Sequence, residues 1–499
     1  MAWHPTDEDS LNILVEQNPW RRLGRVPPAL LKPTRRPFAD HLWRIVSSSV
    51  LPRYQIVIGP RRVGKTIAMF QTVQSLLDTA VDPNRLWWMH LAHPMLMRMS
   101  LGTLVDLVIT ASGATDARPA YLFLDELTYA RDWDTWLKTF YDERRPVRIV
   151  GTSSSTAALR QGRLESGVGR WEEQYLAPCL FTEYLKLRGR DIGLEAKATL
   201  ADTIEHAVIS GLNFSPMTSE RQRYMFLGGF PELLMQQSSA AAAGPTLFDS
   251  DAELASELLR SQRVLRDDAV QKALYLDIPQ VFGVSEPLNL ERLLYTLAGQ
   301  MTGLVSFSTL SADVGLATPT LEKYVSYFER SFLIFLLPNY APREETVQRR
   351  GRKVYFVDGA VRNAALQRGI VPLNNPTELG ALMENMIASH LHALAQQTAS
   401  RLYHWRQGQV EVDFVFDDPE RPLAIEVGSS SGHKTAGLVA FQQRYPKFAG
   451  RCFVVAPDAP ASMPKRTPDG YSIGRLSTEL LLSAIGAQAE RAVGERMSA

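Results

Sequence analysis

The eight residues Gly59-Pro60-Arg61-Arg62-Val63-Gly64-Lys65-Thr66 combine two glycines, a lysine and a hydroxyl at the spacing that cradles a polyphosphate. The glycines let backbone N–H groups curl around an anion, and a helix starting at the lysine adds the positive end of its dipole. Lys65 neutralises β and γ phosphates, and the Thr66 hydroxyl is a ligand for Mg²⁺. A second run, Tyr121-Leu122-Phe123-Leu124-Asp125-Glu126, is apolar until it ends in two acids. There Asp125 is a second hold on Mg²⁺, often through water, and Glu126 is placed to polarise an attacking water. The whole of Gly59 to Thr66 together with Asp125 is therefore expected to bind ATP and Mg²⁺. A carboxylate directly after the metal Asp points to P-loop proteins that hydrolyse nucleotide with a strand-borne Glu, and away from kinases and GTPases.

Two further candidates are less specific. Val147–Val150 runs into Gly151-Thr152-Ser153-Ser154-Ser155, where a hydroxyl, taken as Ser153, would sit beside the γ-phosphate and position the water. Gly169-Arg170 follows a stretch containing Arg160 and Arg163. Arg170 is the candidate to reach a neighbouring subunit's γ-phosphate, which implies a homo-oligomer. The ordinary readings, a serine loop and a surface arginine, stay open beside both.

These residues need a scaffold, and the surrounding text supplies one. From about Tyr54, apolar strands (YQIVIG, RLWWMHLA, YLFLDE, VRIVG) alternate with helical periods (IAMFQTVQSLLD, MLMRMSLGTLVDLVI, DWDTWLKTFYDE). Such alternation makes an α/β doubly wound parallel sheet. The preceding Arg/Pro-rich text cannot hold a long helix, because of Pro27, Pro28, Pro33 and Pro37, and reads as an ordered arm or brace. After Phe181 the chain turns mostly helical, and Ser238–Ser250 reads as a loop or linker. Three apolar-periodic helices between Leu288 and Leu337 have helix-turn-helix grammar. The last segment returns to α/β text.

Composition sets the outer limits. At 499 residues with 54 Lys/Arg against 53 Asp/Glu, the chain is multidomain and not uniformly basic. The average conceals a basic start: residues 1–66 hold eleven Lys/Arg against five Asp/Glu. Two cysteines, Cys179 and Cys452, make neither a disulfide framework nor a four-thiolate zinc site. The longest apolar stretch, ending at Leu337 before Pro338, is far short of the roughly 20 residues of a membrane helix. A cytoplasmic chain without a membrane span is expected.

The motifs together resemble bacterial and archaeal ATPases of the AAA-like P-loop group that carry a C-terminal domain of uncharacterised function with a restriction-endonuclease-like core. Besides the phosphate loop and YLFLDE, the resemblance runs through GTSSS, GVGR, FTEYL, LGGFPE, TLEKYVSYFERSFLIFLL, KVYFVDGAVRN, GALMEN, HWRQGQVEVDFV and LAIEVG. It implies a P-loop sheet, a helical lid, a winged-helix-like middle and a nuclease-like end. The corresponding segments are an arm over 1–35, an ATPase domain over 36–200, lid and linker over 201–285, the winged-helix-like domain over 286–345, the nuclease-like domain over 346–485 and a tail over 486–499.

A nuclease of this kind needs acids on a helix and on two strands, plus a lysine two residues after the last acid. Glu384, Asp413 and Glu426 take the acidic places, but the lysine place is Gly428. Lys434 is the nearest substitute, on a flexible stretch. The expectation is a degenerate or purely binding domain, with a Mg²⁺-dependent DNA nuclease as the alternative. In the middle helices, Thr318, Thr320, Lys323 and Tyr324 would face DNA if the third helix reads it, and Arg343, Arg349, Arg350, Arg352 and Lys353 form a basic run suited to phosphates. The function expected is ATP binding and hydrolysis coupled to DNA or a partner protein. A nucleotide-regulated scaffold with slow hydrolysis is a further alternative.

Overall fold

The structure, a computed structural model, describes residues 5–32, 34–48, 53–154, 169–235, 251–343, 347, 351–430, 432–466 and 470–495. Its chain divides into two compact units, Met1–Leu176 and Ala177–Glu495.

The first unit runs α1 (Asp7–Gln17), α2 (Pro37–Ser47), β1 (Tyr54–Ile58), α3 (Lys65–Asp78), β2 (Leu86–His90), α4 (Leu101–Ser112), β3 (Ala120–Asp125), α5 (Trp133–Asp142), β4 (Val147–Ser153) and β5 (Trp171–Tyr175). The strands form one sheet in the order β2-β3-β4-β1-β5, with every neighbouring pair parallel. This is the expected α/β sheet of a P-loop NTPase. β1 and β3 are buried along their whole length, which is why they read as unbroken apolar runs rather than alternating ones. On α5, Trp133, Leu137 and Phe140 recur at helical spacing and form the buried stripe. Because the strands are parallel, Ile58, Asp125, Ser153 and Tyr175 all end at one edge of the sheet, where ligands bind in such folds.

A sheet must also protect its edge strands, here β2 and β5, and on β2 one backbone edge has no strand beside it. That edge is met by side chains from the end of α1 and just beyond. The Asn18 amide donates to Trp88 O at 2.8 Å and accepts from Trp88 N at 2.6 Å, while Trp20 Nε1 donates to Leu86 O and His90 N to Gln17 Oε1. The N-terminal residues thus satisfy the edge as another strand would.

The second unit includes, after several earlier helices, α6 (Pro287–Gly299), α7 (Phe307–Val314) and α8 (Thr318–Arg330), followed by an antiparallel ribbon of β6 (Ile334–Leu337) and β7 (Lys353–Phe356). Backbone bonds from Thr302 N to Val354 O and from Val305 N to Arg352 O attach the link between α6 and α7 to the same ribbon. β6 precedes and β7 follows the boundary expected after 345, and the two strands pair.

Beyond it come α9 (Gly359–Leu366), α10 (Pro376–Gln397), β8 (Arg401–Gln407), β9 (Val410–Asp417), β10 (Leu423–Val427), α11 (Ala436–Arg444), β11 (Cys452–Ala456), β12 (Ser462–Arg466), β13 (Ser472–Ser477) and α12 (Thr478–Glu495). The six strands form a sheet in the order β12-β13-β11-β10-β9-β8. β8, β9 and β10 make an antiparallel meander, and β10, β11 and β13 run parallel. Cys179 and Cys452 are both buried. Among the described residues no helix is long and apolar enough to cross a membrane.

Candidate functional site

The phosphate loop joins β1 to α3. At Gly59 a Cβ would lie 2.2 Å from the Leu176 carbonyl oxygen, so the backbone of the next strand's end comes too close for any side chain. Gly64 caps α3 at φ 95°, and Arg62 also takes a positive φ of 69°. Lys65 is buried and its Nζ donates to the carbonyls of Gly59 and Pro60, both at 2.8 Å. The ammonium therefore lies folded over the loop that would receive the phosphates.

Thr66 Oγ1 donates to Asp125 Oδ2 at 2.9 Å and lies 3.1 Å from Oδ1. From the other side, Thr152 Oγ1 donates to Asp125 Oδ1 at 2.6 Å and accepts the Glu126 backbone N–H at 3.0 Å. Glu126 has left-handed backbone angles (φ 56°, ψ 51°), which cost a non-glycine residue about 1–3 kcal/mol unless its surroundings hold it. The Thr152 hydroxyl is one such hold. Asp125 is only 5% exposed, and its hydrogen-bond partners among the described residues are neutral.

That arrangement fits Mg²⁺. The buried carboxylate is met by hydroxyls and by no ion pair among the described residues. The Thr66 hydroxyl and the Asp125 carboxylate are both hard oxygen donors, the kind Mg²⁺ takes.

Thr152 was not singled out by sequence reasoning, which chose Ser153 from the same hydroxyl run. β4 pairs with β3 in the register Leu124–Gly151, and this brings residue 152 against Asp125. Successive residues of a strand face opposite sides, so Ser153 does not share that direction. Ser153 is fully buried at the end of β4. Ser155, Arg160 and Arg163 lie outside the described residues.

Arg170 is not brought to the loop. It immediately precedes β5, where its carbonyl accepts the N–H of Tyr54 at the start of β1, so it lies at the edge of the sheet opposite the phosphate loop. Its guanidinium pairs with both oxygens of Asp142, at 2.8 and 3.0 Å. A role on a neighbour's phosphate would require this pair to be exchanged.

The second unit holds the other predicted group. The Asn385 amide bonds both the N–H and the carbonyl of Phe356, fixing α10 against β7. This sets Glu384 beside Tyr355, whose hydroxyl donates to it at 2.7 Å, and beside Lys353, whose Nζ lies 3.3 Å from Glu384 Oε1 and 3.2 Å from Asp413 Oδ1. The pairing of Ile425 with Phe414 leaves Glu426 and Asp413 as adjacent next residues. Asp413 Oδ2 also accepts the Val427 N–H. Three acids named from widely separated sequence positions do converge. Burial, reinforced by the neighbouring Asp413, raises Glu384 to about 7 and Glu426 to about 8. For Lys353 burial acts downward, but Glu384 and Asp413 outweigh it and hold the lysine above its ordinary value.

Two expectations are corrected here. Lys353 does not belong to an exposed phosphate-gripping run: it is 4% exposed and clamped between two carboxylates, whereas Arg343 is exposed and Arg349 and Arg350 lie outside the described residues. Nor does Lys434 enter the cluster. It is exposed, and its neighbour His433 contacts Glu426 Oε1 through Nε2 at 3.1 Å. A Cβ at Gly428 would lie 2.5 Å from the His433 Cβ and 2.7 Å from its Cγ, so His433 occupies the space where a side chain at 428 would stand. A cavity of about 550 Å³ opens beside the cluster, lined by Thr302, Arg362, Glu378, Glu384 and Gly428 among others.

A family model described as an AAA domain matches residues 52–185, and two models described as domains of unknown function, DUF8612 and DUF4143, match residues 252–370 and 379–467. Two uncharacterised proteins of Methanocaldococcus jannaschii are similar at 23% identity, over 75% of this chain and 75% of theirs, and at 22%, over 80% of each. An uncharacterised protein of Haemophilus influenzae is 21% identical over 82% of this chain and 91% of its own. The solved structure of the Aeropyrum pernix ORC1 protein in complex with DNA aligns with 72% of this chain and 98% of its own, at 12% identity and a TM-score of 0.34. The AAA match and the loop geometry together describe an AAA-like nucleotide-binding protein.

Two outcomes test these contacts. Thr152→Val keeps the shape but removes a hydroxyl shared by Asp125 and the Glu126 N–H; an unsatisfied buried group costs about 1–3 kcal/mol, so nucleotide hydrolysis should fall roughly 5- to 150-fold in steady-state phosphate release. Gly428→Lys, far from restoring a lysine, should collide with His433 and lower stability by about 1–3 kcal/mol in thermal unfolding, with most of the loss recovered when His433→Gly is added.

Proposed function

We propose that the first unit binds ATP with Mg²⁺ and hydrolyses it, and that nucleotide state controls binding of DNA or a partner protein by the second unit. The observation that carries the ATPase reading is the Asp125 carboxylate held between the Thr66 and Thr152 hydroxyls, one strand-end away from the folded Lys65. Lys65 exchanges its two loop carbonyls for phosphate oxygens and supplies charge where it develops on the γ-phosphate. Mg²⁺, held by Thr66 and Asp125, would add further neutralisation of the phosphates. Glu126 follows Asp125 directly and accepts a proton from the attacking water, its backbone kept in place by Thr152. Ser153, the next residue on β4, faces away from Asp125, so orienting the water falls to Thr152 at the same strand end. Arg170 remains the candidate for a contact in trans within a homo-oligomer, released from Asp142.

For the second unit, the order α10, meander β8–β10, α11, β11 supports the nuclease-like reading of its fold. The chemistry supports a binding role instead of cleavage. The Lys353 ammonium stands between Glu384 and Asp413, where a divalent ion would have to sit, and His433 fills the place of the absent lysine. Among the described residues no group of three or more His, Cys, Asp or Glu side chains is arranged to hold a metal ion. The three helices and ribbon form the winged-helix-like part. On α8 the buried stripe is Leu321, Val325 and Phe328, which leaves Lys323 exposed and Thr318, Thr320 and Tyr324 half-buried on the remaining surface. That surface suits a DNA backbone.

Steady-state ATP hydrolysis by the wild type should drop by about 10²–10⁴ in Glu126→Gln, with nucleotide still bound, and vanish with binding in Lys65→Ala. Equal rates in all three would remove the ATPase assignment. Duplex DNA should be retarded in gels at low salt in an ATP-dependent way, less so as salt rises, and Lys323→Ala should weaken it without changing sequence preference. No retardation at low salt leaves a protein partner as the reading.

A further inference from the structure

The phosphate loop is held by a residue outside its own motif. Arg36 Nη1 donates to the carbonyl oxygen of Val63 at 2.9 Å. Val63 is fully buried and lies between Arg62 and Gly64, both at positive φ, so the peptide joining it to Gly64 is in the most sharply turned part of the loop. No peptide bond here is cis, and in a trans peptide the C=O and the following N–H point in opposite directions. A donor that holds the Val63 carbonyl on one side therefore turns the Gly64 N–H to the other. Gly64 is the cap of α3, and its N–H belongs with those of the first helical turn, the groups that an anion at a helix start accepts from.

The neighbouring arginine shows that this is a separate task from bracing the helix. Arg35 donates to Gln71 O at 3.0 Å and Ser75 Oγ at 2.7 Å and pairs with Asp40 at 2.7 Å, so it grips the middle of α3. Gln71 in turn donates to the carbonyls of Leu31 and Thr34. The Arg/Pro-rich arm is thus stitched to α3 through residues 31–35. Arg36, at the start of α2, is the residue that reaches the loop.

We propose that Arg36 is a positioning residue of the phosphate site: by clamping the Val63 carbonyl it orients the Gly64 N–H toward the phosphates before nucleotide arrives. The proposal rests on the reading of Gly59–Thr66 as a nucleotide site. A preset donor contributes equally to the ground state and the transition state, so its loss should raise KM and leave kcat near wild type.

The experiment compares wild type, Arg36→Ala, Arg36→Lys and Arg35→Ala by titration with a fluorescent ATP analogue and Mg²⁺, by steady-state hydrolysis, and by melting without nucleotide. Arg36→Ala should bind about tenfold more weakly, with KM raised, kcat retained and the nucleotide-free melting temperature close to wild type; Arg36→Lys should recover part of the affinity. Arg35→Ala should show the reverse, a lower melting temperature with affinity kept. Wild-type affinity in Arg36→Ala would overturn the proposal, as would a loss that Arg35→Ala reproduces with the same fall in melting temperature. Absence of nucleotide binding in the wild type would instead overturn the phosphate-site reading beneath it.

Discussion

One buried carboxylate organises the nucleotide unit. Asp125 ends a strand buried along its whole length, and a charge so placed must be hydrogen-bonded or compensated. Its partners are the hydroxyls of Thr66, from the first turn of α3, and Thr152, from the end of β4. Three separate elements thereby converge on two oxygen atoms. Hydroxyls hydrogen-bond the carboxylate without supplying a positive group, and a carboxylate so placed beside a phosphate loop is suited to a cation.

The carboxylates of the second unit obey the same physics with the opposite result. Glu384 and Asp413 share the ammonium of Lys353, and Glu426 contacts His433. Charge is balanced there by side chains of the chain itself. Removing one partner of such a buried group leaves an uncompensated charge, which costs about 3–5 kcal/mol, so Lys353 holds β7 to α10 and β9 as firmly as it occupies the space between the acids. Both clusters bury acidic groups, and what separates them is whether an ammonium lies between the carboxylates.

Much of the first site was legible because its information is local. The phosphate loop needs glycines, a lysine and a hydroxyl within eight consecutive residues, and the Asp125-Glu126 pair directly follows an apolar strand. The sheet was legible for a related reason: strands buried on both faces cannot afford polar residues, so YQIVI and AYLFLD stand out. Where the local text left the choice open, the deciding information was in pairing. Thr152 and Ser153 are chemically alike, and only the register of β4 against β3 selects between them. Arg170 follows a glycine as a functional arginine would, yet parallel alignment with β1 puts it at the far edge, on Asp142. Lys353 looked like one member of a basic run, and only the pairing of β7 with β6 and the docking of Asn385 carry it into the acid cluster.

By itself the sequence determined the α/β class of the first unit and marked Gly59–Thr66 and Asp125 as candidates for phosphate and Mg²⁺, since each depends on residue type and short spacing. The tertiary structure alone decided which hydroxyl meets Asp125, which arginine holds the phosphate loop, and which cations meet the carboxylates of the second unit. Those choices depend on strand register and helix docking, which bring together residues such as Lys353 and Asp413 or Arg36 and Val63 whose separation along the chain carries no local trace.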